Sequence, residues 1–209
     1  MSFEPFVSLS GSAAAVLQPN IDTDVIIRVD HLTKSRSEVG PFAFEVLRFL
    51  ADGSENPTFP LNEPTFRDSP ILLTGPNFGC GSSREPAVWA LAGLGIRCLI
   101  GTTFGDIFFA NCAQNGVLVV SVTPTAFDEI VSATRNGGTI TVDLPSQSLT
   151  IEGGHRWRFE ILPAAKQSLA LGLDDIELAV ADAAMIDAWQ QGDRVARPWI
   201  WQLPVHGTS

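Results

Sequence analysis

The stretch Asn77-Phe78-Gly79-Cys80-Gly81-Ser82-Ser83-Arg84-Glu85-Pro86-Ala87-Val88-Trp89-Ala90-Leu91-Ala92-Gly93-Leu94 carries most of the chemical information in this chain. Ile71-Leu72-Leu73-Thr74 before it reads as a short buried strand, and Pro86 to Leu94 is apolar or small throughout and too long for a turn. The pattern predicts a strand, a glycine-rich loop and a buried helix. Gly79 and Gly81 allow positive φ or close backbone approach, and the free N–H groups and dipole at a helix start make an anion site. Ser82, Ser83 and Arg84 add two hydroxyls and a cation there. An arginine in a first helical turn opposes the helix dipole by about 0.3–1 kcal/mol unless an anion accompanies it.

A purely structural use of the same residues competes with this. Ser82 followed by Glu85 three residues later matches a capping box. Pro86 argues against it: with Ser82 as N-cap the proline falls where the first intrahelical N–H is needed, whereas Ser83 as N-cap leaves it in the free first turn. Ser82 is then available for other work.

At 209 residues and 22.4 kDa, the chain suits one large domain, or a domain with an extension. Its composition, 45% hydrophobic and 17% charged, is that of a soluble globular protein. No apolar run approaches the ~20 residues of a membrane helix. The N-terminus has no basic region ahead of an apolar core, so a cytoplasmic location is expected. The net charge of −10 disfavours nucleic acid or an anionic membrane as partners. An anionic ligand must therefore be met by local cations. The three cysteines, Cys80, Cys98 and Cys112, show no Cys-x-x-Cys spacing and make neither a disulfide framework nor a zinc site. Cys98 lies in an apolar run and reads as core; Cys80, between glycines, is the candidate for an exposed thiol.

Outward from the motif, Phe6 to Leu17 reads as one or two strands, followed by the turn-forming cluster Asn20-Ile21-Asp22-Thr23-Asp24. Asp22 and Asp24 are weighed as magnesium ligands or, more commonly for such residues, as turn and cap formers. The polar segment Arg28 to Gly40 lacks periodicity and holds three of the 13 Lys and Arg residues, so it is a candidate substrate-closing loop or a solvated one. Ala43 to Phe49 reads as a short helix, and residues 51–62 as an irregular connection. Beyond the motif, strands at Arg97–Ile100 and Gly116–Val122 alternate with helices at Asp106–Ala113 and Phe127–Thr134, which predicts a parallel or mixed sheet covered by helices. Thr139–Asp143, Ser148–Ile151 and Arg156–Ile161 read as antiparallel strands. Helices at Ala164–Leu171 and Ala179–Gln191 follow, and the tail from Arg197 holds Trp199 and Trp201 without periodicity.

Four motifs in order, Asn20-Ile21-Asp22-Thr23-Asp24-Val25-Ile26-Ile27, Asn77 to Glu85, Phe104-Gly105-Asp106-Ile107-Phe108 with Asn111 and Asn115-Gly116, and Gly172-Leu173-Asp174-Asp175-Ile176, resemble the small subunits of 3-isopropylmalate dehydratase in the aconitase family. The resemblance covers about residue 5 to about residue 190. It implies a swivelling β/β/α domain with a central mixed or parallel sheet flanked by helices, over 1–190, and a C-terminal tail over 191–209. It also implies no cofactor on this chain and a large-subunit partner whose cysteines hold an iron–sulfur (4Fe-4S) cluster, with the active site between the two. The substrate implied is a small dicarboxylate hydroxy acid, 2- or 3-isopropylmalate. Ser82 then corresponds to the general base, Ser83 and Arg84 to substrate-carboxylate contacts, and Arg36 and Val39 to the substrate-recognition loop. A serine acts as base only if its alkoxide is stabilised, for which loop N–H groups and Arg84 are suited.

The chain departs from the family at Pro86, where histidine is usual, at Val25-Ile26-Ile27-Arg28 for Gln-Ile-Ile-Pro, and at Arg36-Ser37-Glu38-Val39-Gly40 for Arg-Thr-Gly-Phe-Gly. These changes fall where selectivity is set. Related substrates such as citramalate, a methylated malate or homoaconitate, and a non-catalytic anion-binding or assembly module, are the alternatives. A serine hydrolase is the weakest, since Gly81-Ser82-Ser83-Arg84-Glu85 lacks the glycines of a nucleophile elbow.

Overall fold

A computed structural model describes residues 3–202. The first apolar stretch makes two strands, β1 (Ser8–Gly11) and β2 (Ala13–Val16), followed by the one-turn helices α1 (Thr23–Ile26) and α2 (Glu45–Arg48) on either side of the polar loop. Strand β3 (Ile71–Thr74) leads through the glycine-rich loop into α3 (Glu85–Gly93). Strand β4 (Cys98–Gly101), helix α4 (Asp106–Gln114), strand β5 (Leu118–Ser121) and helix α5 (Pro124–Thr134) continue the alternation. Strands β6 (Ile140–Asp143), β7 (Ser148–Ile151) and β8 (Arg156–Arg158) form a meander. Helices α6 (Pro163–Leu171), α7 (Asp175–Ala181), α8 (Ala183–Ala196) and α9 (Pro198–Trp201) follow.

The strands form two four-stranded sheets. Strands β2-β3-β4-β5 are all parallel, with Ala13 opposite Ile71, Ile71 opposite Cys98 and Cys98 opposite Leu118. Strands β1-β6-β7-β8 are all antiparallel, with Ser8 opposite Asp143 and Asp143 opposite Ser148. The central sheet is thus wholly parallel, and the chain changes sheets across Ser12. That change is invisible in the sequence, because strands covered on both faces read as continuous apolar runs.

Side-chain alternation divides the parallel sheet between two cores. Leu72, Leu99 and Val119 join Ala87, Val88, Leu91, Phe108 and Cys112 on the helical side. Ile71, Leu73, Cys98, Ile100, Leu118 and Val120 join Ile140, Val142, Leu149 and Ile151 from the antiparallel sheet. The layers are therefore antiparallel sheet, parallel sheet and helices, a β/β/α arrangement. On the helical side, α3 lies against the end of the polar loop, where Gly40 and Gly93 meet without room for a side chain: a Cβ on Gly40 sits 2.7 Å from the Gly93 carbonyl.

The C-terminal region differs from expectation. The helix expected over 179–191 is two, α7 and α8, and α7 opens with a capping box between Asp174 and Glu177. The Asp-x-x-Glu spacing was available in the sequence as its signal. Helix α8 runs through the expected boundary at residue 190, and the tail contains α9. Trp201 folds back on α8, donating from its indole nitrogen to Asp193 Oδ2 at 2.8 Å beneath Arg194, whereas Trp199 is exposed. The rest of the expected tail, 203–209, lies outside the described residues.

Two glycine substitutions should separate packing from propensity. Gly40→Ala forces a methyl into the Gly93 backbone and should destabilise by about 1–3 kcal/mol. Gly192→Ala, mid-helix in α8 with nothing within 4 Å, should stabilise by about 0.5–1 kcal/mol. Urea unfolding measures both. Burial in the two cores pushes the thiols of Cys98 and Cys112 well up, while Cys80 is half-buried. A thiol reagent should label Cys80 alone in the native protein and all three cysteines after unfolding; rapid native labelling of Cys98 or Cys112 contradicts the packing described.

Candidate active site

The glycine-rich loop is stitched to the segment before α1 and to the loop before α4. Asn77, left-handed at φ 58°, donates its backbone N–H to Thr103 Oγ1 and its side-chain amide to Asn20 Oδ1, both at 2.8 Å. Gly79 donates to the Ile21 carbonyl at 2.7 Å, and the Cys80 carbonyl accepts from the Thr23 N–H at 3.0 Å. Gly79 has φ 72°, and a Cβ there falls 2.2 Å from the Phe108 ring, so both conformation and space require glycine. Thr23 Oγ1 donates to the Ser82 carbonyl at 2.9 Å. Gly105 donates to the Phe78 carbonyl at 2.9 Å, and the buried Phe78 ring meets Phe108 edge-on. Three motifs that are distant in sequence thus converge on one loop.

Neither capping arrangement read from the sequence is present. The N-cap of α3 is Arg84, extended at φ −134° and ψ 98°, with no side-chain capping bond. Pro86 is the second helical residue, where no N–H partner is required. Glu85 does not reach back to Ser82: its Oε1 accepts from the Asn115 amide at 2.9 Å. Ser82 and Ser83 are exposed and free of capping duty.

Arg84 is held by a charge partner that sequence reading did not assign to it. Its Nη1 bonds to Asp24 Oδ1; the arginine side chain is 18% exposed and the aspartate 53%. The anion that an arginine at a helix start requires is supplied by the first turn of α1. Asp22 is the N-cap of α1, accepting from the Val25 N–H at 2.8 Å. Asp22 and Asp24 thus serve as a cap and an ion-pair partner, and among the described residues no group of three or more His, Cys, Asp or Glu is placed to hold a metal ion. Cys98 and Cys112 lie in different cores, so the cysteines do not fit an iron–sulfur cluster.

The polar loop divides. Arg36 donates from Nη2 to the Asn115 carbonyl at 3.1 Å and lines a cavity of about 370 Å³ with Glu85, Trp89, Asn115, Asp174 and Ile176. Val39 points inward and is fully buried in the helical core, away from the exposed serines. Between them, Glu38 accepts from the N–H and hydroxyl of Ser35, which holds its carboxyl below the usual range. His31 bonds to Glu45 Oε2 at 3.0 Å and stacks on Phe42. A larger cavity of about 580 Å³, between α5 and the β7–β8 turn, contains Asp128, Glu129, Glu152, His155 and Trp157. It holds none of the motif residues, and its acidic lining does not suit an anion.

The site therefore offers one loop with two free hydroxyls, a helix start and an oriented guanidinium, and a second guanidinium linked to the same helix through Asn115. Its donors and cations suit a carboxylate ligand.

Comparison with known proteins agrees with this construction. Residues 3–125 match the aconitase C-terminal domain family. The 3-isopropylmalate dehydratase small subunit of Rhodopseudomonas palustris (strain HaA2) is 44% identical over 199 residues, covering 94% of this chain and 99% of that one. That of Methylobacterium radiotolerans is 45% identical over 191 residues, covering 90% of this chain and 96% of the relative. The crystal structure of a 3-isopropylmalate dehydratase from Methanocaldococcus jannaschii shares the fold, with a TM-score of 0.65, 23% identity, and coverage of 87% of this chain and 99% of that one. The chain belongs to the aconitase C-terminal domain family and, within it, to the 3-isopropylmalate dehydratase small subunits.

Proposed function

We propose that this chain is the small subunit of a heteromeric hydro-lyase that interconverts 2-isopropylmalate and 3-isopropylmalate by dehydration and rehydration, in leucine biosynthesis. The observation that carries this is the loop Ser82-Ser83-Arg84, which follows a buried parallel strand and presents two exposed serine hydroxyls free of capping bonds beside a guanidinium at the helix start. Ligand sites of open α/β sheets favour that position.

The reaction removes a weakly acidic proton from a carbon next to a carboxylate. Ser82 is assigned as the base that takes it, and the N–H groups at the start of α3 with Arg84 stabilise the alkoxide it needs. Ser83 and Arg84 grip one substrate carboxylate. Arg84 already holds the carboxylate of Asp24, so a diacid entering the site competes with an internal anion in place. Arg36 is assigned to the recognition loop; Val39, buried in this chain, contributes to the site by shaping that loop from below. An iron–sulfur cluster held by the cysteines of a large-subunit partner would supply the Lewis acid for the leaving hydroxyl, while this chain would contribute Ser82, Ser83, Arg84 and Arg36. The complex is assigned to the cytoplasm; no helix among the described residues is long and apolar enough to cross a membrane.

The recognition loop departs from the family pattern at Ser37-Glu38-Val39, which leaves a second substrate within the same class as the alternative. A related hydroxy-diacid such as citramalate is that alternative, and relative kcat/KM across a panel of diacids decides between them.

The isolated chain should be inactive and gain turnover when combined with an iron–sulfur large subunit. In that complex Ser82→Ala should lower kcat by about 10²–10⁴ with KM little changed. Arg84→Lys should raise KM and lower kcat, because a point charge replaces a planar fork that grips a carboxylate. Equal turnover of wild type and Ser82→Ala contradicts the base assignment, and a wild-type complex inert toward every hydroxy-diacid points to a binding or assembly module instead.

A further inference from the structure

Asn115, which follows the last residue of α4, joins three segments that chain order keeps apart. It is buried, at 4% exposure, and each polar atom of its amide has a partner. Oδ1 accepts from the indole Nε1 of Trp89 at 2.9 Å, and Nδ2 donates to Glu85 Oε1 and to the Asn111 carbonyl, each at 2.9 Å. Because an indole N–H only donates and a carboxylate only accepts, the amide has one consistent orientation. The main-chain carbonyl of the same residue accepts from Arg36 Nη2 at 3.1 Å. Glu85 is the first residue of α3 and directly follows Ser82-Ser83-Arg84. One buried residue therefore stands between the recognition-loop arginine and the loop that holds the candidate base. The other end of the recognition loop is fixed on the same helix, where Gly40 meets Gly93.

We infer that the Asn115–Glu85 pair is a positioning device that sets the separation between Arg36 and the Ser82-Ser83-Arg84 loop, and so matches the site to the span between the two carboxylates of its substrate. The inference rests on the function proposed above and adds residues that the resemblance does not assign. Charge alone gives no reason for Glu85 at this point. A carboxylate beside an anion site repels a diacid, and the compensation is the fixed hydrogen bond it accepts from a buried amide. Neither residue touches substrate in this role.

The test compares Glu85→Gln with Glu85→Ala in the reconstituted complex with its large subunit, reading KM, kcat and melting temperature with a dicarboxylate hydroxy acid. Both variants remove the charge, but only Glu85→Gln keeps an oxygen for the Asn115 amide. Glu85 is exposed, so both should fold and melt near wild type. Removal of repulsion should lower KM in Glu85→Gln by about two- to threefold. Loss of position should raise KM in Glu85→Ala by about tenfold or more, with kcat largely retained. Equal KM for Glu85→Ala and Glu85→Gln overturns the inference. A wild-type complex without turnover, or a Ser82→Ala complex as active as wild type, instead overturns the function itself.

Discussion

Burial of the parallel sheet on both faces is the constraint from which the rest of the molecule follows. All four residues of β3 and of β4 are buried, and alternate side chains feed two separate cores. A strand with no solvent face cannot carry a functional side chain along its length, so chemistry is displaced to its ends. The chain uses the end of β3, where the next ten residues form no regular structure before α3. The second sheet exists to cover the face that the helices leave. Strand β6 alternates buried and partly exposed residues from Ile140 to Asp143, because only one of its sides meets the core.

A loop at a strand end is useful only if it is rigid, and here rigidity comes from hydrogen bonds together with the buried ring of Phe78. Ile21, Thr23, Asn20, Thr103 and Gly105 each bond to the stretch from Pro76 to Ser82. The left-handed residues Asn77, Gly79 and Gly81 permit the path those bonds select. Each such bond contributes on the order of 1 kcal/mol net, so the conformation is over-determined without any contribution from the side chains of Ser82 or Ser83. The hydroxyls are left for a ligand because the backbone does the holding. The half-buried Arg84 is oriented in the same manner, by Asp24 across a contact between α1 and the start of α3.

The fold was largely legible where local pattern decides structure. The strand at Ile71–Thr74 and the helix beginning at Asp106 lie where the apolar pattern placed them. Helix α3 begins one residue later than Ser83 as N-cap implies, because Arg84 takes the cap position with its backbone alone. What remained hidden depends on distant partners. Arg84 and Asp24 are 60 residues apart, so composition near the motif shows an unbalanced cation and nothing of its counter-ion. Arg36 and Asn115 are 79 apart, and no local signal links them. Val39 was assigned to substrate recognition by resemblance, yet as an apolar residue beside Gly40 it obeys the simpler demand of the core above which the loop closes. The division of β1 and β2 between sheets was equally hidden, since both read as one small apolar run.

In the proposed function Arg84 grips a substrate carboxylate, and Asp24, its partner in the free chain, stands where that carboxylate would bind. A crystal structure of the heteromeric complex with an unreactive analogue of the hydroxy-diacid tests this most directly. The account predicts that the Arg84 guanidinium has left Asp24 and makes a paired hydrogen bond to a ligand carboxylate, with Ser82 Oγ facing the adjacent carbon. An analogue bound in the interface while Arg84 stays on Asp24, with Ser82 turned away, would contradict it.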